Sequence, residues 1–448
     1  MTEVSMADIL ACREERVRIQ NEISKSFSCP IISFTMNIAG PQKNSPLIMR
    51  AFSLGLQDLY AAIDPQSILY QHIDKTSPTG PLAILSIKDD ANKLKAICTE
   101  IEEKTALGRL FDMDVLDTEL KKIERETERC CIICGAMGRS CAAGRVHPLN
   151  EIVTKMNKIM LDAVVAQDAS CIASIAVESL IEEVKTTPKP GLVDMRNNGS
   201  HNDMTPETFE RSAKALEDYF KTCVVIGKQH ASREYSELFL ALKKAGIEAE
   251  DRMYEATNGV NTHKGAIFSF GIICGAIGRL WLPERSVANT ELLLTEAAKI
   301  AKHSIDIDLA SADGSTAGER MYLENGDMGI RGEAASGFSS VSNISLPTYR
   351  NLLKTGMSSN DAGAIALIYL IASIEDSSIY NRGGISGVEF AKEYANHLIR
   401  NDRIPSIDEI EEMDNLFIKK NLSAGGAADL LALTYFLYNI EKIRDEQN

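Results

Sequence analysis

The sequence predicts a multidomain protein in which an α+β domain is followed by an all-α domain. A chain of 448 residues exceeds the size at which one hydrophobic core usually keeps growing. Strand and helix patterns alternate up to residue 117, whereas from about Pro148 onward apolar residues recur only at helical spacing. We therefore predict two domains, 1–167 and 168–448.

The first domain begins with a helical pattern over 8–25 and continues with six shorter elements. The patterns predict strands at 29–38, 67–73, 81–87 and 108–117, and helices at 46–63 and 89–103. This β-α-β-β-α-β order is that of the split βαβ, or ferredoxin-like, arrangement.

The second domain is predicted to be helical, with long polar loops between its helices. Three of these loops contain several glycines: TTPKPGLVDMRNNGSHNDM, ATNGVNTHKG and GERMYLENGDMGIRGEAASGF. Binding residues are often found on such loops when a rigid scaffold holds them.

Composition disfavours several classes of partner. The formal net charge of −15 repels polyanions, so we expect no nucleic-acid partner. The first residues are charged and amphipathic, and no apolar run of about 18 residues stands out, which disfavours secretion and membrane insertion. We expect a cytoplasmic protein whose ten cysteines are free thiols or metal ligands.

Two carboxylates in the last predicted strand form the first candidate site. Side chains alternate along a strand, so Asp112 and Asp114 share one face, about 6.6 Å apart, where they could hold Mg²⁺ for phosphoryl transfer. A solvated polar face on an edge strand explains the pattern equally well. Lys43 follows the first strand in a loop that could hold an anion at a helix N-terminus, although an ordinary turn also fits.

Four potential zinc ligands follow this strand. Cys131, Cys134, Cys141 and His147 offer the thiolate and imidazole groups of a closed, structural zinc site. The spacing is irregular, so buried or unpaired thiols are the alternative interpretation.

Polar clusters in the loops of the second domain are candidates for binding phosphates and metal. Glycines let backbone amides approach a phosphate, basic side chains supply charge, and carboxylates can carry metal. Ordinary turns and a structural His263 are the alternative for each cluster taken alone. The candidates are Lys189, Asp194, Asn197, Asn198, His201 and Asp203; Asn258, Asn261, Thr262, His263 and Lys264; Glu319, Arg320, Arg331 and Glu333; and Glu375, Asp376, Asn381 and Arg382. A fifth segment, Asn421 to Asp429, is interpreted as an ordinary helix start.

Four segments of the first domain resemble one enzyme family. MNIAGPQKNSPLIMRAF, TGPLAILSI, EEKTALGRLFDMDVLD and CCIICGAMGRSCAAGRVHPLNE are similar to citrate lyase holo-acyl-carrier-protein synthase, also called phosphoribosyl-dephospho-CoA transferase. The resemblance implies a nucleotidyltransferase-like domain in which a serine of the citrate lyase acyl carrier subunit attacks triphosphoribosyl-dephospho-CoA and expels pyrophosphate. It implies Mg²⁺ on Asp112 and Asp114, with Lys43, Arg50 and Arg109 gripping phosphates.

The second domain resembles another family, triphosphoribosyl-dephospho-CoA synthase. The resemblance lies in TPKPGLVDMRNNGSHNDM, ATNGVNTHKGAIFSFGIICGAIGRL, GERMYLENGDMGIRGEAASGF and NLSAGGAADLL. It implies that ATP and dephospho-CoA are joined with release of adenine. Under this interpretation Lys264, Lys189 and Arg331 hold phosphates. Asp194, Asp203, Glu319 or Glu333 carries Mg²⁺, and His263 or a carboxylate transfers protons.

Two alternatives remain open at the level of sequence. The same cofactor chemistry serves malonate decarboxylase, so the carrier could belong to that enzyme. A non-catalytic, zinc-bearing interaction protein on a helical scaffold is the alternative from another class.

Overall fold

The computed structural model describes residues 4–308 and 312–447 and divides the chain into two compact units, Met1–Gln167 and Asp168–Asn448. The first unit contains all four strands found in the described residues, and the second is helical there. The predicted succession of an α+β part and an all-α part is confirmed.

The first unit has the predicted order of elements. Its helices are α1 (Met6–Phe27), α2 (Pro46–Ala62), α3 (Ala91–Lys104) and α4 (Gly138–Ala143), and its strands are β1 (Ile31–Met36), β2 (Ile68–Asp74), β3 (Leu82–Ile87) and β4 (Phe111–Leu116). Ser45 and Asp90 cap α2 and α3 by accepting hydrogen bonds from backbone amides of the first helical turn. These caps explain why both helices begin where the sequence patterns place them.

The four strands form one antiparallel sheet in the order β2-β3-β1-β4. Phe34 of β1 stacks on Phe52 of α2 and meets Phe111 of β4 edge-on, so the apolar face of the sheet packs on α2. Gly55 permits this approach, since a Cβ there would lie 2.6 Å from the Phe34 ring. The opposite face carries Asp112 and Asp114.

Helix α1 covers part of the face that carries the two aspartates. Ile19 and Ile23 pack on Ile31 and Ile84 in the middle of the sheet. The side chain of Asp112, on the edge strand β4, remains 45% exposed. This corner of the sheet is therefore accessible to a ligand.

The outer edge of β4 is covered by side chains and, at its C-terminal end, by backbone hydrogen bonds with residues 121–123. Lys95 of α3 donates to the carbonyl oxygen of Met113 over 3.1 Å, and the Met113 amide donates to Glu102 over 2.8 Å. Arg125 and Arg129 also donate to the Glu102 carboxylate, which is 1% exposed. Glu102 thus connects α3, the edge strand and the segment that follows it.

We expect Glu102→Ala to destabilise the first unit by about 2–4 kcal/mol, because it leaves a buried strand amide without its acceptor and removes the buried carboxylate partner of two partly exposed arginines. Hydrogen exchange of the β4 amides in a urea series measures this loss locally, as a chain of two units need not unfold in one step. Glu103→Ala is the matched control, since Glu103 is half-exposed and pairs only at the surface; we expect it to cost less than about 1 kcal/mol. Equal losses for the two variants would contradict this role of Glu102.

The second unit consists of helices around a large apolar core. Helix α5 (Leu149–Lys185) contains the division between the units, and twelve helices follow it. They are α6 (Pro206–Ala215), α7 (Glu217–Gln229), α8 (Tyr235–Ala256), α9 (Lys264–Leu280), α10 (Thr290–Asp308), α11 (Ala317–Asn325), α12 (Gly329–Ala335), α13 (Leu346–Lys354), α14 (Ser359–Ser373), α15 (Ser377–Leu398), α16 (Ile407–Lys419) and α17 (Gly425–Gln447). Helices α9 and α14 are buried around most of their circumference.

Helix α5 is long and apolar enough to cross a membrane by length and composition, and so is the bent pair α14 and α15 taken together. Both criteria are also met by helices buried in the core of globular proteins. Residues of α14 and of the part of α5 in the second unit belong to its core, for example Ile368 and Ile172. Their apolar composition is therefore explained by packing.

Candidate active sites in the two units

A cavity of about 920 Å³ in the second unit is lined by most of the site residues predicted from the sequence for that unit. They come from four separate loop regions and the starts of the following helices. The predicted residues that line the cavity are Lys189, His201, Asn261, Thr262, His263, Lys264, Arg320, Arg331, Glu333, Glu375, Asp376, Asn381 and Arg382. The fifth segment, interpreted from sequence as an ordinary helix start, also lines it through Ser423, Gly425 and Asp429.

The N-terminal ends of several helices face this cavity. Lys264 and Gly265 begin α9, Ser377 and Ser378 begin α15, and Gly425 and Gly426 begin α17; all six line the cavity. The first amides of a helix lack partners within the helix and carry partial positive charge. The described lining residues also include five cationic side chains and six carboxylates, so an anionic ligand would be bound locally, beside the cations, rather than by the charge of the whole cavity.

His263 lies at the end of a chain of hydroxyl groups. Thr262 donates to Ser212 over 2.7 Å, and the Ser212 hydroxyl lies 2.7 Å from His263 Nδ1. Burial, with a smaller contribution from the charge of Lys189, lowers the pKa of His263 to about 3. The ring is neutral at physiological pH, and this network assigns its proton to Nε2.

The Nε2 atom of His263 is buried and has no hydrogen-bond partner among the residues that the structure describes. A buried donor without a partner is costly unless water or a ligand completes it. His263 lines the cavity as a residue, but its Nε2 atom is itself covered by protein.

His201 and Arg382 form a second polar pair on the wall. Arg382 donates to His201 Nδ1 over 3.1 Å, so the proton of the neutral ring lies on Nε2, which is 2.9 Å from the Ser423 hydroxyl. Burial lowers the pKa of His201, and the charge of Arg382 lowers it further. Arg382 also donates to Ser200 and Asn421, which fixes its guanidinium at the cavity wall.

Three carboxylates lie deep in the cavity: Glu183 was not predicted from the sequence, Asp376 belongs to the fourth predicted cluster, and Asp429 ends the segment interpreted as a helix start. Burial raises the pKa of Glu183, although Lys189 donates to it over 2.5 Å. Burial also raises the pKa of Asp376, whose oxygens accept from the amides of Ser378 and Ala427 at the starts of α15 and α17. Glu183 and Asp376 are thus held by the protein's own groups.

Asp429 is the third of these carboxylates and keeps intermediate exposure, because it faces the cavity while protein surrounds its other sides. Its pKa is raised well above the ordinary value, first by burial and then by the nearby charges of Glu183 and Asp376. A Cβ at Gly265 would lie 2.0 Å from Asp429 Oδ2, so only glycine fits at the start of α9. Asp429 therefore combines a raised pKa with access to a ligand.

Six predicted residues of the second unit do not line the cavity. Asp194 accepts from the amides of Lys189, Arg196 and Asn197 and closes its own loop. Glu319 completes the capping box of α11 with Thr316. The side chain of Asn197 donates to Asp414, whereas Asn198, Asp203 and Asn258 are exposed.

In the first unit, the two predicted aspartates share one face of β4 but each lies beside a cation. Asp114 is 2.6 Å from Lys122, and Asp112 is 3.5 Å from Arg129. Ser33 of β1 pairs in register with Asp114, and its buried hydroxyl has no hydrogen-bond partner among the described residues. Polar groups of two neighbouring strands therefore meet on this face.

The predicted cations of the first unit lie near the end of β4 where Asp112 is found, or on α2. Arg109 precedes β4 and donates to the carbonyl oxygen of Cys130. Lys43 lies in the loop after β1, donates to the carbonyl oxygen of Ile38, and has a pKa that burial lowers. Arg50 lies in the first half of α2. The loop that carries Lys43 begins beside the start of β4, because the Asn37 amide donates to the carbonyl oxygen of Leu110, the residue before β4.

The four predicted zinc ligands come together. The ligand atoms of Cys131, Cys134, Cys141 and His147 all lie within 4.8 Å of one another. The Cys134 sulfur is 3.5 Å from that of Cys141 and 3.3 Å from His147 Nε2, while the Ile133 amide donates to Cys131 Sγ. His147 Nδ1 faces Glu151 at 3.8 Å.

Two family models match successive parts of the chain. Residues 169–448 match CitG, described as ATP:dephospho-CoA triphosphoribosyl transferase. Residues 4–163 match CitX, described as apo-citrate lyase phosphoribosyl-dephospho-CoA transferase.

Curated relatives show the same two-part organisation. The chain is 32% identical to Protein CitXG of Haemophilus influenzae, covering 97% of this chain and 96% of the relative. It is 31% identical to Protein CitXG of Leuconostoc mesenteroides subsp. cremoris, covering 97% of each. A 2-(5''-triphosphoribosyl)-3'-dephosphocoenzyme-A synthase of Pectobacterium atrosepticum is 42% identical over 58% of this chain and 86% of the relative.

Proposed function

Since this chain belongs to the ATP:dephospho-CoA triphosphoribosyl transferase family and carries an apo-citrate lyase phosphoribosyl-dephospho-CoA transferase segment before it, we propose that each unit catalyses one of two successive reactions. The protein is a transferase that makes the citrate lyase prosthetic group. ATP and dephospho-CoA give 2′-(5″-triphosphoribosyl)-3′-dephospho-CoA and adenine. Phosphoribosyl-dephospho-CoA is then transferred to a serine of the citrate lyase acyl carrier subunit, and pyrophosphate leaves.

The proposal for the second unit depends on one observation, the convergence of cations and helix N-termini on a single cavity. The triphosphate of ATP must be bound without being cleaved, because the reaction takes place at C1 of the ribose. Lys264, Arg320 and Arg331 line the cavity and are our candidates to bind it. Glu333 lines the cavity two residues beyond Arg331 and is our candidate to hold Mg²⁺ beside the phosphates.

The departing adenine needs a proton or a hydrogen bond, and the incoming hydroxyl must lose a proton. We assign the transfer of a proton to Asp429, the carboxyl group that combines a raised pKa with access to the cavity. His263 remains neutral and forms part of the cavity wall, where its hydrogen bond to Ser212 fixes the ring.

For the first unit we infer that Asp112 and Asp114 hold Mg²⁺ while a carrier serine attacks the phosphate. The cation would displace Lys122 and Arg129 as partners of the two carboxylates. Arg109, Lys43 and Arg50 then bind phosphate oxygens, which neutralises charge as pyrophosphate departs. The antiparallel strand order β2-β3-β1-β4 supports a ferredoxin-like assignment for this unit.

We also propose that Cys131, Cys134, Cys141 and His147 bind a structural zinc ion. Four protein ligands fill a tetrahedral shell and leave no open position for catalysis. Glu151 faces Nδ1 of His147, the ring nitrogen that would not bind zinc. Carboxylates often occupy this position beside a zinc-bound imidazole. The ion would order the segment that supplies the carbonyl oxygen of Cys130 to Arg109.

We expect Cys134→Ser to lose zinc during dialysis against a chelator that leaves the wild-type protein loaded, because Cys134 contacts two of the other ligands. Elemental analysis gives the metal content, and hydrogen exchange over residues 128–147 reports order independently of activity. Cys130→Ser is the control, since Cys130 is exposed and lies outside the cluster. Equal zinc content in both variants would contradict the site.

Two assays test the assignment of the reactions. Adenine should appear only when ATP, Mg²⁺ and dephospho-CoA are all supplied, and chromatography detects it. When a purified carrier subunit is added, its mass should increase by one phosphoribosyl-dephospho-CoA group. Adenine release without dephospho-CoA would argue against triphosphoribosyl transfer, and an unmodified carrier would argue against the second activity.

A further inference from the structure

A second cavity, of about 990 Å³, adjoins the reaction cavity in the second unit. Gly326, Asp327 and Glu375 line both cavities, so the two meet at these residues. The second cavity is bordered by the end of α11, the long part of α15 and Arg400 after it.

Helix α15 lines both cavities, and apart from Tyr380 its lining residues before Gly384 face the first cavity and those after it face the second. Ser377, Ser378, Asn381 and Arg382 face the reaction cavity, and Gly384 then leaves helical geometry with φ 61° and ψ −162°. Beyond this break, the residues that line the second cavity recur at intervals of three and four and so form one helix face. They are Ile385, Val388, Glu389, Lys392, Glu393, Asn396 and His397.

The charges of the second cavity do not suit phosphate. Among its described lining residues there are four carboxylates and two cations, and one of those cations, Lys392, is paired with Glu375. The rest of the wall mixes apolar side chains, such as Met321 and Val388, with the amides of Asn325 and Asn396. Such a wall fits an uncharged chain that carries amide groups.

We propose that the second cavity binds the pantetheine arm of dephospho-CoA while ATP and the adenosine end of dephospho-CoA occupy the first. This inference rests on the proposed function of the second unit. The acceptor reacts through a ribose hydroxyl at its adenosine end, so its arm must extend away from the reacting centre. The arm is an uncharged chain with two amides and a terminal thiol, which matches the wall of the adjoining cavity.

Ile385→Trp tests the proposal without disturbing the core, because Ile385 is 55% exposed. The larger ring narrows the second cavity, so we expect the KM for dephospho-CoA to rise about tenfold or more. The KM for ATP and the kcat at saturating dephospho-CoA should stay within about twofold of wild type, since uniform binding of the arm is what is lost. Ser386→Trp, on the neighbouring exposed position outside both cavities, should change neither KM.

A trapping experiment gives a second readout. The thiol of dephospho-CoA is first converted to its mixed disulfide with thiopyridine. The thiolate introduced by Ile385→Cys attacks the sulfur of dephospho-CoA, forms a protein disulfide and expels thiopyridone. Peptide mass mapping should show faster labelling at position 385 of this variant than at position 386 of the control variant Ser386→Cys. Excess S-methyl dephospho-CoA, which has no free thiol, should slow the labelling at position 385.

The failures of the two proposals can be told apart. A wild-type protein that releases no adenine would refute the proposed function. An active wild-type protein would overturn only the arm site if Ile385→Trp left the KM for dephospho-CoA unchanged or raised both KM values equally. Equal labelling of the two cysteine variants would overturn it as well.

Discussion

Asp429→Asn is expected to lower adenine release by about 10²–10⁴-fold, the usual contribution of a positioned acid or base. Asn keeps the shape of the side chain but cannot give up a proton to departing adenine. Chromatography of adenine formed from ATP and dephospho-CoA at saturating substrate measures the loss. Asp408→Asn, at an exposed position of α16 outside the cavity, is the matched control and should retain full activity.

The pH dependence of the wild-type protein follows from the direction of the Asp429 pKa. Burial and the neighbouring carboxylates raise this pKa, so the protonated form persists to higher pH than in an ordinary aspartate. If the protonated form donates to adenine, kcat should fall as the pH rises through the raised pKa.

The pH dependence of the free energy of unfolding distinguishes a catalytic role of Asp429 from a purely structural one. When the pKa of a carboxyl group is higher in the folded than in the unfolded protein, its protonation stabilises the fold at pH values below the pKa of the unfolded state. This contribution is lost as the pH rises through the pKa of the folded state. Asn does not titrate, so Asp429→Asn should lose less free energy of unfolding with rising pH than the wild-type protein. Chemical denaturation at several pH values measures the difference. A variant that was both inactive and less stable at every pH would point to a structural role instead.

Position 265 offers an independent check on the geometry of this site. A methyl group at Gly265 would collide with Asp429 Oδ2, so Gly265→Ala must displace the carboxylate. We expect adenine release to fall while binding of ATP, which depends on other residues of the wall, remains measurable by calorimetry. Full activity of Gly265→Ala would contradict the assignment of proton transfer to Asp429.

The first unit was predictable in its order of strands and helices because periodicity and caps agree along it. Asp112 and Asp114 lie on one face of β4 since strand alternation alone determines this. The position of α1 across that face was not predictable, because it depends on tertiary packing of Ile19 and Ile23 against the sheet.

The second unit shows where sequence patterns mislead about carboxylates. Glu183 lies in the polar segment EEVK at the end of the apolar helix α5. Two adjacent glutamates at a helix end suggest a solvent-exposed segment, yet Glu183 is buried against Lys189. Asp429 follows a Gly-Gly pair that suggested only a helix start. Conversely, Thr316 and Glu319 have the T-x-x-E spacing of a capping box, a local signal that explains why Glu319 caps α11 rather than lining the cavity.

Asp194 illustrates the same competition between local and ligand-binding roles. Its carboxylate accepts hydrogen bonds from three backbone amides within its own loop. These bonds hold the loop that carries Lys189 in place at the cavity wall. Aspartates often close turns in this way, so an Asp within a Gly- and Asn-rich loop is ambiguous from sequence. Only the three-dimensional structure separates the aspartates that close loops from those that face a ligand.

Asp112→Asn is expected to lower modification of the carrier subunit by roughly 10²–10³-fold, since one metal-binding carboxylate is worth several kcal/mol when charge builds up on a leaving pyrophosphate. Adenine release should stay within about twofold of wild type, because that reaction is assigned to the second unit. The mass of a carrier subunit supplied with triphosphoribosyl-dephospho-CoA measures the first activity, and chromatography measures the second in the same preparation. Higher Mg²⁺ concentration should partly restore carrier modification if Asp112 binds the ion, whereas Asp117→Asn, in the turn after β4, should need no such rescue. Unchanged carrier modification would favour a solvated polar face at Asp112, and loss of both activities would show that the two units do not work independently.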